Sequence, residues 1–152
     1  MSTGKDLPKA LSYDVTIHVR DTCLCLHLQR AARVVARHFD EALRPLDLTN
    51  GQFSLLMSLN RPAAPGMKQV SAVLAMDRTT LTANLKPLER RGLVKVAVDP
   101  ADKRGRRLSL TPKGRALLVA ALPIWKETHA AIERRLEGAS ADRLRTELRA
   151  LS

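Results

Sequence analysis

The sequence predicts a mainly α-helical fold with one small β-hairpin, and three observations carry that expectation. Apolar residues recur at three- and four-residue steps over most of the chain. The pattern switches to period two only around Leu93–Val98 and Leu108–Leu110. Capping and breaking residues stand where the periodic runs meet. At 152 residues the chain is expected to form a single domain over 1–152, since a domain takes roughly 100–200 residues. With 45% hydrophobic and 27% charged residues it has the composition of an ordinary globular protein, not of a disordered one.

The first helix is expected over Asp14–Arg44, with Ile17, Leu24, Leu28, Ala31, Val35, Phe39 and Ala42 at helical spacing. Pro45 ends it, because the residue before proline avoids the helical region. A short helix follows, capped by Thr49 or Asn50 and carrying Phe53, Leu56 and Met57. Arg61-Pro-Ala-Ala-Pro-Gly66 is a loop by composition. Met67–Leu74 makes the next helix, with Val70, Val73 and Leu74 on its apolar face, and Ala75-Met76 the turn after it. Asp77 is an N-cap whose carboxylate can accept from the backbone N–H groups of Thr79 and Thr80. The helix Arg78–Arg91 points Leu81, Leu85 and Leu88 inward, with Pro87 kinking its last turn and Gly92 stopping it.

Val94, Val96 and Val98 then lie on one strand face, with Lys95 on the other. Asp99–Arg107 is a polar loop, so this stretch is a hairpin with a long basic tip. Thr111-Pro112 starts a helix that runs to about Glu137, with a kink at Pro123 that can open a cavity, and Gly138 breaks it. Ala139–Leu151 closes the chain as a short helix with Leu144 and Leu148 on one face.

The formal net charge is +11, which points to a polyanionic partner. Residues 78–115 hold 11 Lys and Arg against three acids, so +8 of that charge falls on one helix and one hairpin. The other 114 residues carry only +3 and are close to balanced. Tyr13, Phe39, Phe53 and Trp125 are all the aromatics, too few for a stacking platform for single strands. No apolar run approaches the ~20 residues that span a bilayer. Met1–Leu11 has no apolar segment of the signal-peptide kind, so a cytoplasmic location and no membrane partner are expected. Cys23 and Cys25 should then be free thiols. Two residues apart on one helix, they could pair only if that helix unwound.

Helix, turn, helix and basic hairpin, in that order, make a winged helix-turn-helix, a form whose second helix fits the major groove of duplex DNA. Three stretches resemble the MarR-type transcriptional regulators. Met76-Asp-Arg-Thr-Thr-Leu-Thr82 with Leu88-Glu-Arg-Arg-Gly-Leu-Val94 looks like the family's recognition helix and its exit. Asp99-Pro-Ala-Asp-Lys-Arg104 with Leu108-Ser-Leu-Thr-Pro-Lys-Gly114 looks like its wing, Asp102 and Arg104 taking the signature Asp-x-Arg positions. Cys23–Leu56 is similar to the first helix and its successor, and the likeness extends over about Cys23 to Arg135. The resemblance implies a homodimer joined through the terminal helices, approximately 14–44 and 111–151, with a winged lobe over approximately 49–111. It also implies a repressor released by a small, often aromatic, ligand or by oxidation.

Arg78, Thr79, Thr80, Thr82, Asn84 and Lys86 on the helix, and Lys103, Arg104, Arg106 and Arg107 on the wing, are the expected DNA contacts. Short hydroxyls are poor helix formers, which a plain solvated face would replace by Glu, Lys or Ala. Asp102 is expected to position Arg104. The partner is then a pseudo-palindromic duplex operator with half-sites about 10 bp apart. His27, Phe53 and Trp125 are the candidates for ligand contact.

Cys25 falls near the reactive cysteine of the family's organic-hydroperoxide-sensing branch. The tyrosines that hold the thiolate there correspond to Gln29 and Phe39 here, so a helix-buried, inert thiol is expected, with redox sensing through Cys25 as the alternative. His18, His27, His38 and His129 show no tight ligand spacing, so neither a metal nor any cofactor is expected. A Cys/His enzyme is a distant alternative, for no Gly-rich oxyanion loop stands near the cysteines, and the chain is expected not to be an enzyme.

Overall fold

The computed structural model describes residues 11–152. The reading of Met1–Leu11 as lacking an apolar leader therefore falls almost wholly outside the described residues. Two compact units are present, one ending at Val35 and one from Ala36 to Ser152. Seven α-helices and one hairpin are described: α1 (Tyr13–Thr22), α2 (Leu24–Leu43), α3 (Asn50–Ser58), α4 (Met67–Leu74), α5 (Arg78–Arg90), β1 (Val94–Val98), β2 (Arg106–Leu110), α6 (Pro112–Glu133) and α7 (Ala141–Arg149). The mainly helical fold with a two-stranded antiparallel wing is as the sequence predicts.

The expected first helix, Asp14–Arg44, is two helices. Cys23 interrupts it with an extended ψ of 108°. The Thr22 hydroxyl donates to the His18 carbonyl at 2.7 Å, a back-bond that bends helices. Cys23 thus stands at a break between the two helices, its carbonyl accepting from the His27 N–H at 3.1 Å. Both thiols are free, Cys25 exposed and Cys23 half-buried. The expected burial of Cys25 is not found. None of the described residues of this first unit is buried, and Leu11, Val15, Val19, Leu24, Leu28 and Val34 are exposed.

In the second unit the core is Leu43, Leu55, Leu56, Val70, Leu81, Leu88, Leu93 and Leu108, all at most 2% exposed. Capping chemistry sets the helix starts. Thr49, not Asn50, caps α3: its hydroxyl accepts from the Gln52 N–H, and the Gln52 side chain accepts from the Thr49 N–H. At α6, Thr111 caps through the Gly114 N–H at 3.0 Å, with Pro112 in the first turn. Gly92 takes φ +69° after α5, and the Leu93 N–H reaches back to the Leu88 carbonyl at 3.0 Å, a glycine stop that satisfies the helix end. Neither proline ends its helix: α5 continues through Pro87 and α6 through Pro123.

Three boundaries differ from the sequence reading. The wing loop ends before Arg106, because Arg106 and Arg107 belong to β2, paired with Val98 and Ala97. Val98 is 53% exposed, so the inward alternation of Val94 and Val96 frays toward the tip. Helix α6 stops at Glu133, not near Glu137, because Arg134–Leu136 tightens into a 3-10 turn and Glu137 and Gly138 follow at positive φ. The last helix starts at Ala141, capped by the Ser140 hydroxyl.

The start of α6 is pressed against the wing base. A Cβ on Gly114 would sit 2.1 Å from the Leu93 carbonyl oxygen, a backbone atom that cannot swing away. Gly114→Ala is therefore expected to destabilise the fold by about 1–3 kcal/mol, as overpacking does. A urea midpoint equal to wild type would contradict this close approach.

Candidate nucleic-acid interface

Helix α5 stands on its apolar stripe and turns its other face outward. Leu81, Leu85 and Leu88 are buried, while Arg78, Thr79, Thr80, Thr82, Asn84 and Lys86 are all exposed. The turn before it is set by Ala75 at φ +49° and by Asp77. Asp77 Oδ1 accepts from the Thr80 N–H at 2.8 Å, and the Thr80 hydroxyl donates to Oδ2, also at 2.8 Å. Of the two amides expected at this cap, Thr80 provides the main hydrogen bond and Thr79 a lesser pull on the same carboxylate. These bonds, the Thr80 N–H first and its hydroxyl second, hold the Asp77 carboxyl below its ordinary value.

Internal bonds sort the outward side chains. The Thr80 hydroxyl is taken by Asp77, the Thr82 hydroxyl donates to the Arg78 carbonyl, and the Asn84 amide reaches the Met76 sulfur at 3.4 Å. The side chains of Arg78, Thr79 and Lys86 make no hydrogen bond among the described residues. They are the groups left open to a partner.

The wing sorts in the same way. Asp102 Oδ1 accepts from the Arg104 backbone N–H at 3.0 Å, so it holds that residue through its main chain and not through an ion pair. Arg106 bonds back to the Lys103 and Gly105 carbonyls. Arg107 is half-buried, with Nε 2.9 Å from Asp99 Oδ2 and Nη1 donating to the Ala64 carbonyl. The side chains of Lys103 and Arg104 are exposed and make no hydrogen bond among the described residues. Other bases counted with this segment are structural. Arg91 donates to the Asp47 carbonyl at 2.6 Å, Lys113 to the Arg91 carbonyl at 2.8 Å, and Arg115 to Asn60. No helix among the described residues is long and apolar enough to cross a membrane.

The ligand candidates are not one cluster. Phe53 and Trp125 do meet, with ring centroids 6.2 Å apart and planes at 16°. The imidazole beside Trp125 is His129, at 4.7 Å and 18°, whose i,i+4 spacing the sequence already offers. His27 belongs to the first unit and donates from Nδ1 to the Cys23 carbonyl. Phe53, Ser54, Met57, Leu74, Leu122 and Trp125 help line a cavity of about 380 Å³, Leu122 and Trp125 lying on either side of Pro123.

An outward polar helix beside a basic two-stranded wing defines a winged helix-turn-helix protein. The sequence profile of the MarR family matches residues 48–105. The transcriptional regulator MosR of M. tuberculosis, solved in complex with DNA, is 39% identical. The superposition covers 85% of this chain and 92% of that one, with a TM-score of 0.77. The transcriptional repressor CouR, solved on a 23-mer DNA duplex, is 30% identical over 93% of this chain and 95% of its own, with a TM-score of 0.70. CouR from Rhodococcus jostii RHA1 has also been solved with p-coumaroyl-CoA; that structure is 26% identical, covers 86% and 90%, and has a TM-score of 0.68. TtmR of Methylorubrum extorquens, an HTH-type transcriptional regulator, is 34% identical over 115 residues, 76% of this chain. The match spans 54% of the length of TtmR. The chain belongs to the MarR family, and these relatives are transcriptional regulators, not enzymes.

The lowered Asp77 carboxyl gives the cap a pH signature. A carboxyl whose folded pKa is depressed contributes stability above its unfolded value and loses it as pH falls through the folded one. Asp77→Asn keeps a capping oxygen without the titration. The difference in Tm between wild type and Asp77→Asn should hold steady above about pH 5 and change only below about pH 4. Parallel Tm curves down to the most acid pH would remove the charge from the account of this cap.

Proposed function

We propose that the chain is a homodimeric, sequence-specific DNA-binding repressor that a small, often aromatic, ligand releases from its operator. The observation that carries this reading is the pairing of two open basic surfaces on one lobe: Arg78, Thr79 and Lys86 on α5, and Lys103 and Arg104 on the wing. Helix α5 suits the major groove, and the wing loop an adjacent minor groove, where arginine responds to width and potential. MosR and CouR on DNA support duplex DNA as the partner, and CouR's own designation as a repressor supports the sign of the regulation.

A second copy is the natural cover for the first unit, whose Leu11, Val15, Val19, Leu24 and Leu28 are exposed among the described residues. Two recognition helices related by a two-fold axis then meet a pseudo-palindrome with half-sites about 10 bp apart. The cavity beside Trp125 supports the effector. At about 380 Å³, lined by rings and aliphatic groups with Ser54 and Ser58, it suits a compact apolar ligand with a polar end. CouR with p-coumaroyl-CoA is a relative holding an aromatic acyl compound. A ligand releases DNA only if it binds the non-DNA conformation more tightly, by the same factor that DNA weakens ligand binding.

Titration onto the chain's own upstream duplex and onto a scrambled duplex, across a salt series, tests the reading. Preference for the upstream palindrome with a steep salt slope is expected. Equal affinity for both at every salt would sink it. Arg104→Ala should weaken binding and flatten the slope by about one per wing that contacts a phosphate. Trp125 is the one tryptophan in the chain. An aromatic carboxylate or thioester that both quenches its fluorescence and lowers DNA affinity is the expected effector behaviour. Compounds that do one without the other would separate the cavity from the regulation.

A further inference from the structure

We infer that Arg107 is a positioning residue of the wing, a strut that sets where Arg104 stands, and not a contact to DNA. The inference rests on the reading of the wing as a DNA-facing element. Arg107 uses two edges of its guanidinium on two different parts of the chain. Nε meets Asp99 Oδ2 at 2.9 Å, and Nη1 donates to the Ala64 carbonyl at 3.2 Å. Asp99 is engaged on both oxygens, since Oδ1 accepts from the Ala101 N–H at 2.9 Å. Its side chain is only 15% exposed, against 40% for Arg107.

The backbone completes the tie. Arg107 pairs with Gly66 as an isolated antiparallel bridge, and the Leu108 N–H donates to the Pro65 carbonyl at 2.9 Å. The Asp99 N–H donates to the Gly105 carbonyl at 3.1 Å and so closes the loop that carries Arg104. Arg107 therefore joins the base of the wing loop to the segment that leads into α4. To reach a phosphate it would have to leave Asp99, stranding a mostly desolvated carboxylate, which costs more than a surface ion pair returns. The planar fork of arginine can serve both partners; the single ammonium of lysine cannot take their places in the same geometry.

This reading reverses the sign that simple electrostatics gives for Asp99. Removing a negative charge from a DNA-facing wing should tighten binding if charge alone matters. If Asp99 anchors the strut, Asp99→Asn should instead weaken operator binding, about tenfold, the scale of one lost groove contact. The asparagine retains an acceptor for the Ala101 N–H, so the turn survives. Arg107→Lys keeps the charge and should still show the loss, whereas a plain phosphate contact would be largely preserved. In an Arg104→Ala background, Asp99→Asn should cost little more, because both act through the same side chain.

Amide hydrogen exchange on the free full-length protein reads the strut without DNA. Asp99→Asn and Arg107→Lys should speed exchange in residues 99–105 while leaving α5 protected. Wild-type exchange rates, tighter DNA binding by Asp99→Asn, full rescue by Arg107→Lys, or additive losses with Arg104→Ala would each overturn the inference. If wild type shows no duplex preference, the regulatory reading fails on its own, and exchange still decides whether Arg107 braces the loop. If Arg107→Lys does not fold, the Asp99→Asn measurements decide alone.

Discussion

The contact on which this fold turns is the meeting of Leu93, Thr111 and Gly114. The Thr111 N–H donates to the Leu93 carbonyl at 3.1 Å, and its hydroxyl both donates to the Gly92 carbonyl and caps the helix that follows. Only a residue without Cβ lets the backbone of α6 come this near. The exit of α5, the base of the wing and the start of α6 share this one junction. Lys113 adds to it by donating to the Arg91 carbonyl. The helix that begins here is also the one that carries Trp125, so the cavity, α5 and the wing are built from a common joint.

Much of this was legible in the sequence because it is local chemistry. Asp77, Thr111 and Gly92 are side-chain or backbone signals that act within a few residues, and they placed α5 and the start of α6 to within a residue. Period-two valines marked the hairpin. What escaped was either weak or distant. The break at Cys23 is an altered ψ beside one hydroxyl back-bond, for which no breaker residue gives warning. The close approach at Gly114 joins residues 21 positions apart, and Lys-Gly in a first turn gives no sign of it.

The charge count shows the same limit. A sum of basic residues places the field on α5 and the hairpin, but it cannot separate bases that face outward from bases that hold the fold. Arg91 clasps the carbonyls of Leu46 and Asp47, more than forty residues back, and Arg107 clasps Asp99 and Ala64. Both are surface-type residues by composition and internal fasteners by geometry. The hydroxyls divide likewise, with Thr80 committed to the Asp77 cap and Thr79 left open. The side chains without an internal bond among the described residues are thus fewer than the motif alone suggests.

The open bases on α5 and the wing have a cost in the free protein. Arg78, Lys86, Lys103 and Arg104 lie on one lobe with no bonded counter-charge among the described residues, so any two that come within a Debye length of about 8–10 Å repel one another. Added salt screens that repulsion and should favour the folded lobe, while the same salt releases it from a polyanion. Folding and association then pull in opposite directions on one ionic variable. A lobe so charged is most stable alone at the salt where a polyanion, on the proposed reading, would be held least.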